Sequence, residues 1–143
     1  MKVSKKGLDL IKQFEGCKLK AYLCPAGIPT IGYGNTYYEE NSKVKMGDTI
    51  TQERAEQLLI LLVPRYESIV NKNKKIELNQ NQFDALVCFC WNCGYSETLF
   101  NLVNEKSDKL KDWWISHYIT GNGKVLKGLQ LRRIAEHDLF ISQ

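Results

Sequence analysis

The chain has 143 residues, of which 43% are hydrophobic and 25% charged, and its formal net charge is +4. These values are typical of a globular protein of one domain and exclude a wholly disordered or low-complexity chain. No apolar stretch approaches the roughly 20 residues that span a bilayer, so we expect no stable membrane insertion. The basic amino end is not followed by an apolar core, so we also expect no signal peptide.

The hydrophobic pattern predicts a helix first and a small sheet next. Apolar residues recur at helical spacing after Ser4, the expected N-cap, as far as about Glu15. Between Lys18 and Thr36 the spacing changes to that of two or three short strands around a Pro-Gly turn. Residues 39–48 are polar and predict a loop.

Two long helices are predicted after this loop. The first begins at Thr51, and Pro64 is expected to kink or end it. Before the second, Asn79 and Gln82 have the spacing of a capping box, and Gly94 is its expected end. Because the second helix is apolar on every face, we expect it to lie in the core.

Only helices are predicted in the rest of the chain. They lie near residues 97–104, 108–118 and 128–140. Residues 121–123, Gly-Asn-Gly, predict a loop. One helix, a small sheet and then helices predict an α+β protein, with a β-bearing lobe of about residues 16–50 and a helical lobe of about 51–143. The first helix, 4–15, is expected to pack against the helical lobe.

The five cysteines cannot all pair within one chain because their number is odd. Cys88, Cys90 and Cys93 lie in an apolar stretch, where a free cysteine behaves as a small hydrophobic residue. On a helix their spacing suits zinc poorly, and no fourth ligand is near in sequence. We therefore expect no metal site, and nothing in the sequence indicates a cofactor.

Glu15 is a candidate proton donor. It lies in the last turn of the first predicted helix, beside Phe14 and facing the predicted sheet. A carboxyl group that is shielded from water there stays protonated and can donate its proton. An exposed acid at the helix end is the alternative, and the helix dipole disfavours a negative charge at that end.

Alternating glycines mark the segment Thr-Ile-Gly-Tyr-Gly-Asn-Thr, residues 30–36. Glycine lets a ligand come close to the backbone, and Thr30 and Asn35 offer short polar groups. No helix begins directly behind this segment, as a nucleotide-binding fingerprint would require. The segment is either the wall of a cleft for a flat polar ligand such as a sugar, or a plain hairpin that uses glycine for its twist.

Several short sequence motifs are distributed along almost the whole chain. They are Phe14–Gly16, Leu19–Tyr22, Gly27, Thr30–Thr36, Asn79–Val87, Asn92–Gly94 and Gly128-Leu129 with Arg132, Arg133 and Glu136. Together they resemble the bacteriophage-type lysozymes, the endolysin muramidases of phages. The resemblance implies a lysozyme-like fold, with a cleft between a small sheet lobe and a mainly helical lobe, and a glycoside hydrolase.

The resemblance also implies a catalytic set of Glu15, Cys24 and Thr30. In this family a Glu is followed nine residues later by an Asp, sometimes a Cys, and six residues after that by a Thr; the spacing is kept here. The implied reaction hydrolyses the β-1,4 bond between N-acetylmuramic acid and N-acetylglucosamine in bacterial peptidoglycan. Glu15 would protonate the leaving oxygen, while Cys24 and Thr30 position the attacking water, so that the anomeric centre inverts.

Cys24 departs from the usual carboxylate of the family. An Asp, with an ordinary pKa of about 3.9, is charged at neutral pH, whereas a Cys, at about 8.5, is mostly neutral. A neighbouring Glu15 carboxylate is expected to raise the pKa of the Cys24 thiol further. We therefore expect Cys24 to orient water; the alternative is a thiolate nucleophile that would retain the anomeric configuration.

Cys17 suggests a second hypothesis for the same thiol. A disulfide with Cys24 would remove the thiol under oxidising conditions, provided that the two Cα atoms approach within about 7 Å. An unpaired Cys17 in the turn between the helix and the sheet is the favoured interpretation.

Further positions follow from the resemblance. Four match the substrate-binding cleft: Gly34, Asn35, Trp91 and Asn92. Trp91 is equally compatible with the core. Of Arg132 and Arg133, one is expected to pair with Glu15 and orient it, and the other to lie on the surface.

The implied partner is a peptidoglycan glycan strand, and we expect a monomer. The family also implies that the protein waits in the host cytoplasm until a separate holin opens the inner membrane. Lysine and arginine are scattered along the chain, so no nucleic-acid partner is expected. The alternatives are a catalytically attenuated peptidoglycan-binding protein on the same fold and a lytic transglycosylase.

Overall fold

The computed structural model describes residues 1–143 and contains six helices and four short strands. In chain order they are α1 Lys5–Glu15, β1 Lys18–Leu23, β2 Pro29–Gly32, α2 Gln52–Asn73, α3 Gln80–Cys93, α4 Glu97–Asn104, α5 Leu110–Ser116, β3 Thr120–Gly121, β4 Lys124–Val125 and α6 Lys127–Ile141. The predicted α+β class is confirmed.

Helix α1 begins and ends where the sequence predicts, and it presents Glu15 as its last residue. Ser4 occupies the N-cap position, but its hydroxyl does not cap its own helix. It donates instead to the buried carboxylate of Asp84 in α3, and the Ser4 backbone N–H donates to the same carboxylate at 2.9 Å. These bonds tie the start of α1 to the core helix.

Strands β1 and β2 form an antiparallel hairpin beside the end of α1. Tyr22 lies directly opposite Thr30, and the register shifts between Lys18 and Tyr22, where β1 carries an irregularity. Ala21, Ile31 and Val44 are buried in a small apolar cluster of their own under this hairpin. The cluster is separate from the main core of the helices, so the hairpin region has its own packing.

Helix α2 runs through Pro64 to Asn73, so of the two expected effects of Pro64, a kink or an end of the helix, the end is wrong. Proline removes one backbone donor, which would have bonded to the carbonyl of Ile60. Both Pro64 and Ile60 lie on the exposed side of α2, where water can satisfy that carbonyl. Buried residues before and after this point, among them Leu62 and Val70, hold the helix against the core.

Helix α3 is the centre of the fold, as its apolar faces predict. It packs against α1, α2 and α6, and every residue from Phe83 to Trp91 is buried. The predicted capping box is present: the Asn79 side chain accepts from the Gln82 N–H at 2.8 Å, and the Gln82 side chain accepts from the Asn79 N–H at 2.9 Å. Gly94 follows the last residue of the helix, as predicted.

A second hairpin, β3 and β4, corrects the prediction of helices alone after the first sheet. Its turn is Asn122-Gly123, and both residues have positive φ, 52° and 76°. Asn-Gly is the favoured pair for a two-residue hairpin turn, so the sequence did contain the signal. No helix of the protein is both long and apolar enough to cross a membrane.

Candidate active site

A cleft of about 1060 Å³ runs between the first hairpin and the helices. Its walls include all of the predicted catalytic and substrate-binding residues and one of the two arginines: Glu15, Cys24, Thr30, Gly34, Asn35, Trp91, Asn92 and Arg132. They come from α1, the first hairpin, the turn that follows β2, α3 and α6. Arg133 does not line the cleft.

Glu15 lines the cleft, and its carboxylate lies between Arg132 and the backbone of Gly34. Arg132 Nη1 donates to Glu15 Oε1 at 2.5 Å, and the two side chains are 3% and 15% exposed, respectively. Gly34 passes so close to this carboxylate that a Cβ there would lie 2.7 Å from the Glu15 Cδ, and its φ is 82°. Only glycine fits at such a close approach in this left-handed conformation. Glu15 is therefore clamped between a guanidinium and the backbone.

Arg132 is fixed on three sides. Besides Glu15, its Nη2 donates to the backbone carbonyl of Cys88 at 2.9 Å, and its Nε donates to Glu136 Oε2 at 3.2 Å. Burial alone would lower the pKa of Arg132, but its neighbours Cys88, Glu15 and Glu136 raise the pKa above its ordinary value, so the group stays a cation.

Arg133 is fully buried, so the expectation of a surface arginine beside Arg132 is wrong. Its Nη2 donates to Glu136 Oε2 at 2.8 Å and to Asn92 Oδ1 at 2.9 Å, and its Nη1 contacts the Cys93 thiol. The guanidinium also lies over the Phe89 ring, 5.0 Å from its centroid. Arg133 thus fixes the end of α3 from behind the cleft and places the exposed Asn92 at its rim.

Cys24 and Thr30 lie on the hairpin side of the cleft. Cys24 follows the end of β1, and its N–H donates to the Ile28 carbonyl at 3.1 Å within the hairpin turn. The Thr30 hydroxyl donates to the same carbonyl at 2.8 Å. Because alternate residues of a strand share a face and directly opposed residues point the same way, Cys24, Tyr22 and Thr30 belong to one face of the hairpin.

The pKa of the Cys24 thiol is lowered from its ordinary value, which contradicts the expected direction. Burial alone would raise this pKa, but backbone groups at Ile28 and Ala26 and the Thr30 side chain stabilise the thiolate and lower it. Glu15 is not among the groups that set this shift. The hairpin turn therefore favours more thiolate than an isolated cysteine would carry.

All five cysteines are free thiols. Cys17 and Cys24 lie at opposite ends of β1, Lys18–Leu23, which at about 3.3 Å per residue separates them by roughly 20 Å. A disulfide between them would require dismantling the strand, because the Cα atoms of a disulfide lie within about 7 Å. The Cys17 thiol instead donates to the Gln52 side chain at 3.4 Å.

Trp91 and Asn35 are more deeply buried than most cleft-lining residues. Trp91 is 9% exposed, and its Nε1 donates to the Tyr33 carbonyl at 3.0 Å, which links α3 to the hairpin segment. Asn35 is 3% exposed, and neither polar atom of its side chain has a hydrogen-bond partner within the protein. Trp91 therefore has a structural contact as well as a place in the cleft wall.

The profile of the phage lysozyme family ("Phage lysozyme") matches residues 12–136. The chain belongs to the phage lysozyme family. The predicted family, the lysozyme-like fold and the class of glycoside hydrolase are thereby confirmed.

Relatives of this phage lysozyme match it along its whole length. It is 38% identical to an endolysin of Acyrthosiphon pisum secondary endosymbiont phage 1, and the match covers 99% of both chains. An endolysin of Bacillus phage PZA is longer, and the match covers 56% of it.

Solved structures similar to this phage lysozyme include an endolysin and a muramidase domain. An endolysin from Escherichia coli O157:H7 phage FAHEc1 is 39% identical with a TM-score of 0.84, and the match covers 99% of this chain and 94% of that one. The muramidase domain of SpmX from Asticaccaulis excentricus is 35% identical with a TM-score of 0.79 over 99% of both chains.

Tyr22 is a cleft residue of this phage lysozyme that the sequence analysis did not single out. It lines the cleft, and burial, together with the negative charges of Glu15 and Cys24, raises the pKa of its hydroxyl. The side chain is therefore a neutral donor close to both groups. Strand alternation could have found it, because Tyr22 lies two residues before Cys24.

Proposed function

We propose that this phage lysozyme is an endolysin muramidase. It hydrolyses the β-1,4 bond between N-acetylmuramic acid and N-acetylglucosamine in bacterial peptidoglycan. The observation that carries the proposal is the largely shielded Glu15 carboxyl group at the end of α1, which Arg132 holds in the same cleft as Cys24 and Thr30. The 35% identity to a muramidase domain supports the choice of bond.

The reaction needs one proton donor and one activated water. Glu15 in its protonated form gives its proton to the bridging oxygen as the bond from that oxygen to the sugar C1 breaks. A water held by Thr30 and Cys24 attacks C1 from the opposite face, which inverts the anomeric centre. In its thiolate form Cys24 accepts the proton that this water loses, and proton exchange with solvent then restores both groups.

The lowered pKa of Cys24 supports a second candidate role for this thiol. A thiolate can attack C1 itself and form a covalent glycosyl-enzyme, which water then hydrolyses with retention. The two mechanisms differ in the anomeric configuration of the product that is released first. Proton NMR of the first product anomer, recorded before mutarotation, is expected to show inversion; a retained anomer, with a sugar adduct on the Cys24 peptide in mass spectrometry, supports the nucleophile instead.

The muramidase proposal is tested by digestion of purified peptidoglycan followed by mass spectrometry of the fragments. We expect reducing N-acetylmuramic acid ends. Anhydro-muramic ends would identify a lytic transglycosylase, and binding without any cleavage would identify an attenuated wall-binding protein. Glu15→Gln is expected to abolish cleavage while keeping the fold, whereas Glu77→Gln, at an exposed carboxylate outside the cleft, is the matched control.

We further propose that the protein acts as a monomer on glycan strands that lie between a β-bearing lobe of about residues 16–50 and a helical lobe of about 51–143. Its release from the host cytoplasm would depend on a separate holin. Sedimentation measures the oligomeric state, and we expect the mass of one chain. Dependence on a holin is measured by the turbidity of cultures that express the protein with and without a holin.

A further inference from the structure

We propose that Glu136 is a positioning residue for the reaction: it holds Arg132 in place, and Arg132 in turn holds Glu15 toward the cleft. The inference rests on the proposed function, because it assigns Glu136 a part in orienting the proton donor. Glu136 itself does not line the cleft and does not touch substrate.

Glu136 is a fully buried carboxylate with three donors around it. Its Oε2 accepts from Arg132 Nε at 3.2 Å and from Arg133 Nη2 at 2.8 Å. Its Oε1 accepts from Trp114 Nε1 at 3.1 Å. The two arginines lie three and four residues before Glu136 on α6, while the tryptophan lies on α5. Because donors approach both oxygens, the carboxylate has one orientation that satisfies all of them.

The fixed carboxylate decides where the Arg132 guanidinium can point. A guanidinium is planar and carries its donors in a rigid fork. With Nε held by Glu136 and Nη2 held by the Cys88 carbonyl, Nη1 is left directed at Glu15. If Glu136 is removed, Arg132 keeps only the Cys88 carbonyl as a fixed neighbour, and the plane of the guanidinium can turn. Glu15 would then lose the group that sets its orientation.

Charge gives Glu136 a second effect on the same proton donor. The buried cluster holds two cations, Arg132 and Arg133, and two carboxylates, Glu15 and Glu136. Removal of the Glu136 charge leaves an additional uncompensated positive charge near Glu15. Positive charge favours the ionised form of a carboxyl group and disfavours the protonated form that donates. The protonated form would then be lost at a lower pH.

The other titratable groups around Glu15 and Glu136 do not cancel the positive potential that Glu15 gains when the Glu136 charge is removed. Tyr22 on the hairpin side and Tyr66 on α2 also interact with Glu15, and Cys24 lines the same cleft. They are unchanged by a substitution at position 136.

The thiols that face Glu136 from α3 are neutral at ordinary pH. Cys88, Cys90 and Cys93 all have a raised pKa, with burial as the largest cause, and that of Cys93 is raised to about 11. The net change at Glu15 on removal of Glu136 is therefore a gain of positive potential.

Two substitutions separate the charge of Glu136 from its position. Glu136→Gln keeps the shape and removes the charge. Glu136→Asp keeps the charge but withdraws the carboxylate by one methylene, so the bond to Arg132 Nε is lost. Glu67→Gln is the matched control, since Glu67 is also a buried carboxylate on a helix but accepts from the Val3 N–H, away from Arg132.

The experiment measures kcat, KM and the pH dependence of muropeptide release from purified peptidoglycan, together with thermal unfolding of each variant. Both Glu136 variants are expected to lower kcat by about 10- to 100-fold with little change in KM, since a shift of about 1 Å in a catalytic group has effects of this size. Glu136→Gln is also expected to move the alkaline limb of the pH profile to lower pH, whereas Glu136→Asp leaves that limb in place. Glu67→Gln changes only the melting temperature.

The inference is overturned if a folded Glu136→Gln variant keeps wild-type kcat and an unmoved alkaline limb. If that variant does not fold, Glu136→Asp decides: a kcat within twofold of wild type overturns the positioning role. A kcat loss that only follows the loss of folded protein, as in Glu67→Gln, also overturns it. Failure of the proposed function is distinguishable, because the wild-type protein would then release no reducing muramic acid ends at all.

Discussion

Substitution of Gly34 by alanine tests whether the position of the Glu15 carboxyl group controls activity. The new Cβ would lie 2.7 Å from the Glu15 Cδ and closer still to its Oε2, whereas ordinary contacts begin at 3.4 Å, so the carboxyl group must retreat by at least about 0.7 Å, the difference for Cδ. A displacement of nearly 1 Å in a catalytic group costs about 100-fold in rate, or about 2.7 kcal/mol of transition-state stabilisation. We expect the initial rate of reducing-end release from purified peptidoglycan to fall by about this factor.

The backbone of Gly34 adds a cost in stability that must be separated from the effect on rate. Its φ of 82° is left-handed, and alanine in such a conformation costs roughly 1–2 kcal/mol. Gly47 is the matched control, because its φ is 98° and a Cβ there would have no neighbour within 4 Å. Gly47→Ala should lower the free energy of unfolding similarly and leave the rate unchanged. Equal rates for folded Gly34→Ala and wild type would refute the reasoning.

Four further predictions concern the hairpin side of the cleft. Because the pKa of Cys24 is lowered in the folded protein, its thiolate stabilises the fold above the unfolded pKa, and this contribution is lost as pH falls through the folded pKa. The pH midpoint of iodoacetamide labelling, measured in a Cys17→Ser background, should therefore lie below that of free cysteine. Thr30→Val should raise this midpoint. Because β1 separates Cys17 from Cys24, lytic activity should be equal with and without reductant, and a loss under oxidant reversed by reductant would contradict this. Asn35→Leu, which replaces an unpartnered buried amide by an apolar group of similar shape, should raise the free energy of unfolding in urea by about 1 kcal/mol; a decrease would show that the amide is satisfied. Tyr22→Phe should lower kcat by about fivefold, the worth of one hydrogen bond, with an unchanged melting temperature, and an unchanged kcat would exclude its hydroxyl from the reaction.

Local signals in the sequence predicted most of the elements. The capping box at Asn79 and Gln82 and the glycine after α3 act within one turn of a helix, so their spacing alone is informative. Pro64 shows the limit of such a signal, because buried residues before and after it along α2 hold the helix against the core. The Asn122-Gly123 hairpin was missed although its two-residue signal was present, because hairpins this short carry almost no hydrophobic alternation.

Contacts between distant parts of the chain could not be predicted from spacing. Glu15 and Arg132 are 117 residues apart, and nothing in the sequence distinguishes Arg132 from Arg133 as its partner. On α6 the two arginines differ by about 100° in direction, so only Arg132 reaches the cleft, while both contact α3. The packing of α6 against α3 makes that choice.

The wrong direction for the pKa of Cys24 has a similar origin. In the sequence, the charge that stands out near Cys24 is that of Glu15, nine residues earlier. The structure places Cys24 in a tight turn, where polar groups at Ile28, Ala26 and Thr30 stabilise the thiolate. A hydrogen bond to the thiolate favours this charged form, and such bonds to Cys24 outweigh its burial. The pKa of a turn residue therefore depends on turn geometry that composition and spacing do not describe.

The buried charges behind the cleft are difficult to explain by stability. Buried ion pairs lose so much hydration that apolar residues of similar volume often stabilise a protein as well or better. Arg132, Arg133 and Glu136 nevertheless occupy the contact between α6 and α3, where Leu and Met would pack without desolvating any charge. One member of this group, Arg132, reaches the cleft and holds Glu15. The Arg132 charge keeps a fixed direction at the cleft because its partners, Glu136 and the Cys88 carbonyl, are themselves buried. The cost in hydration is thus explained by the orientation that Arg132 gives to Glu15.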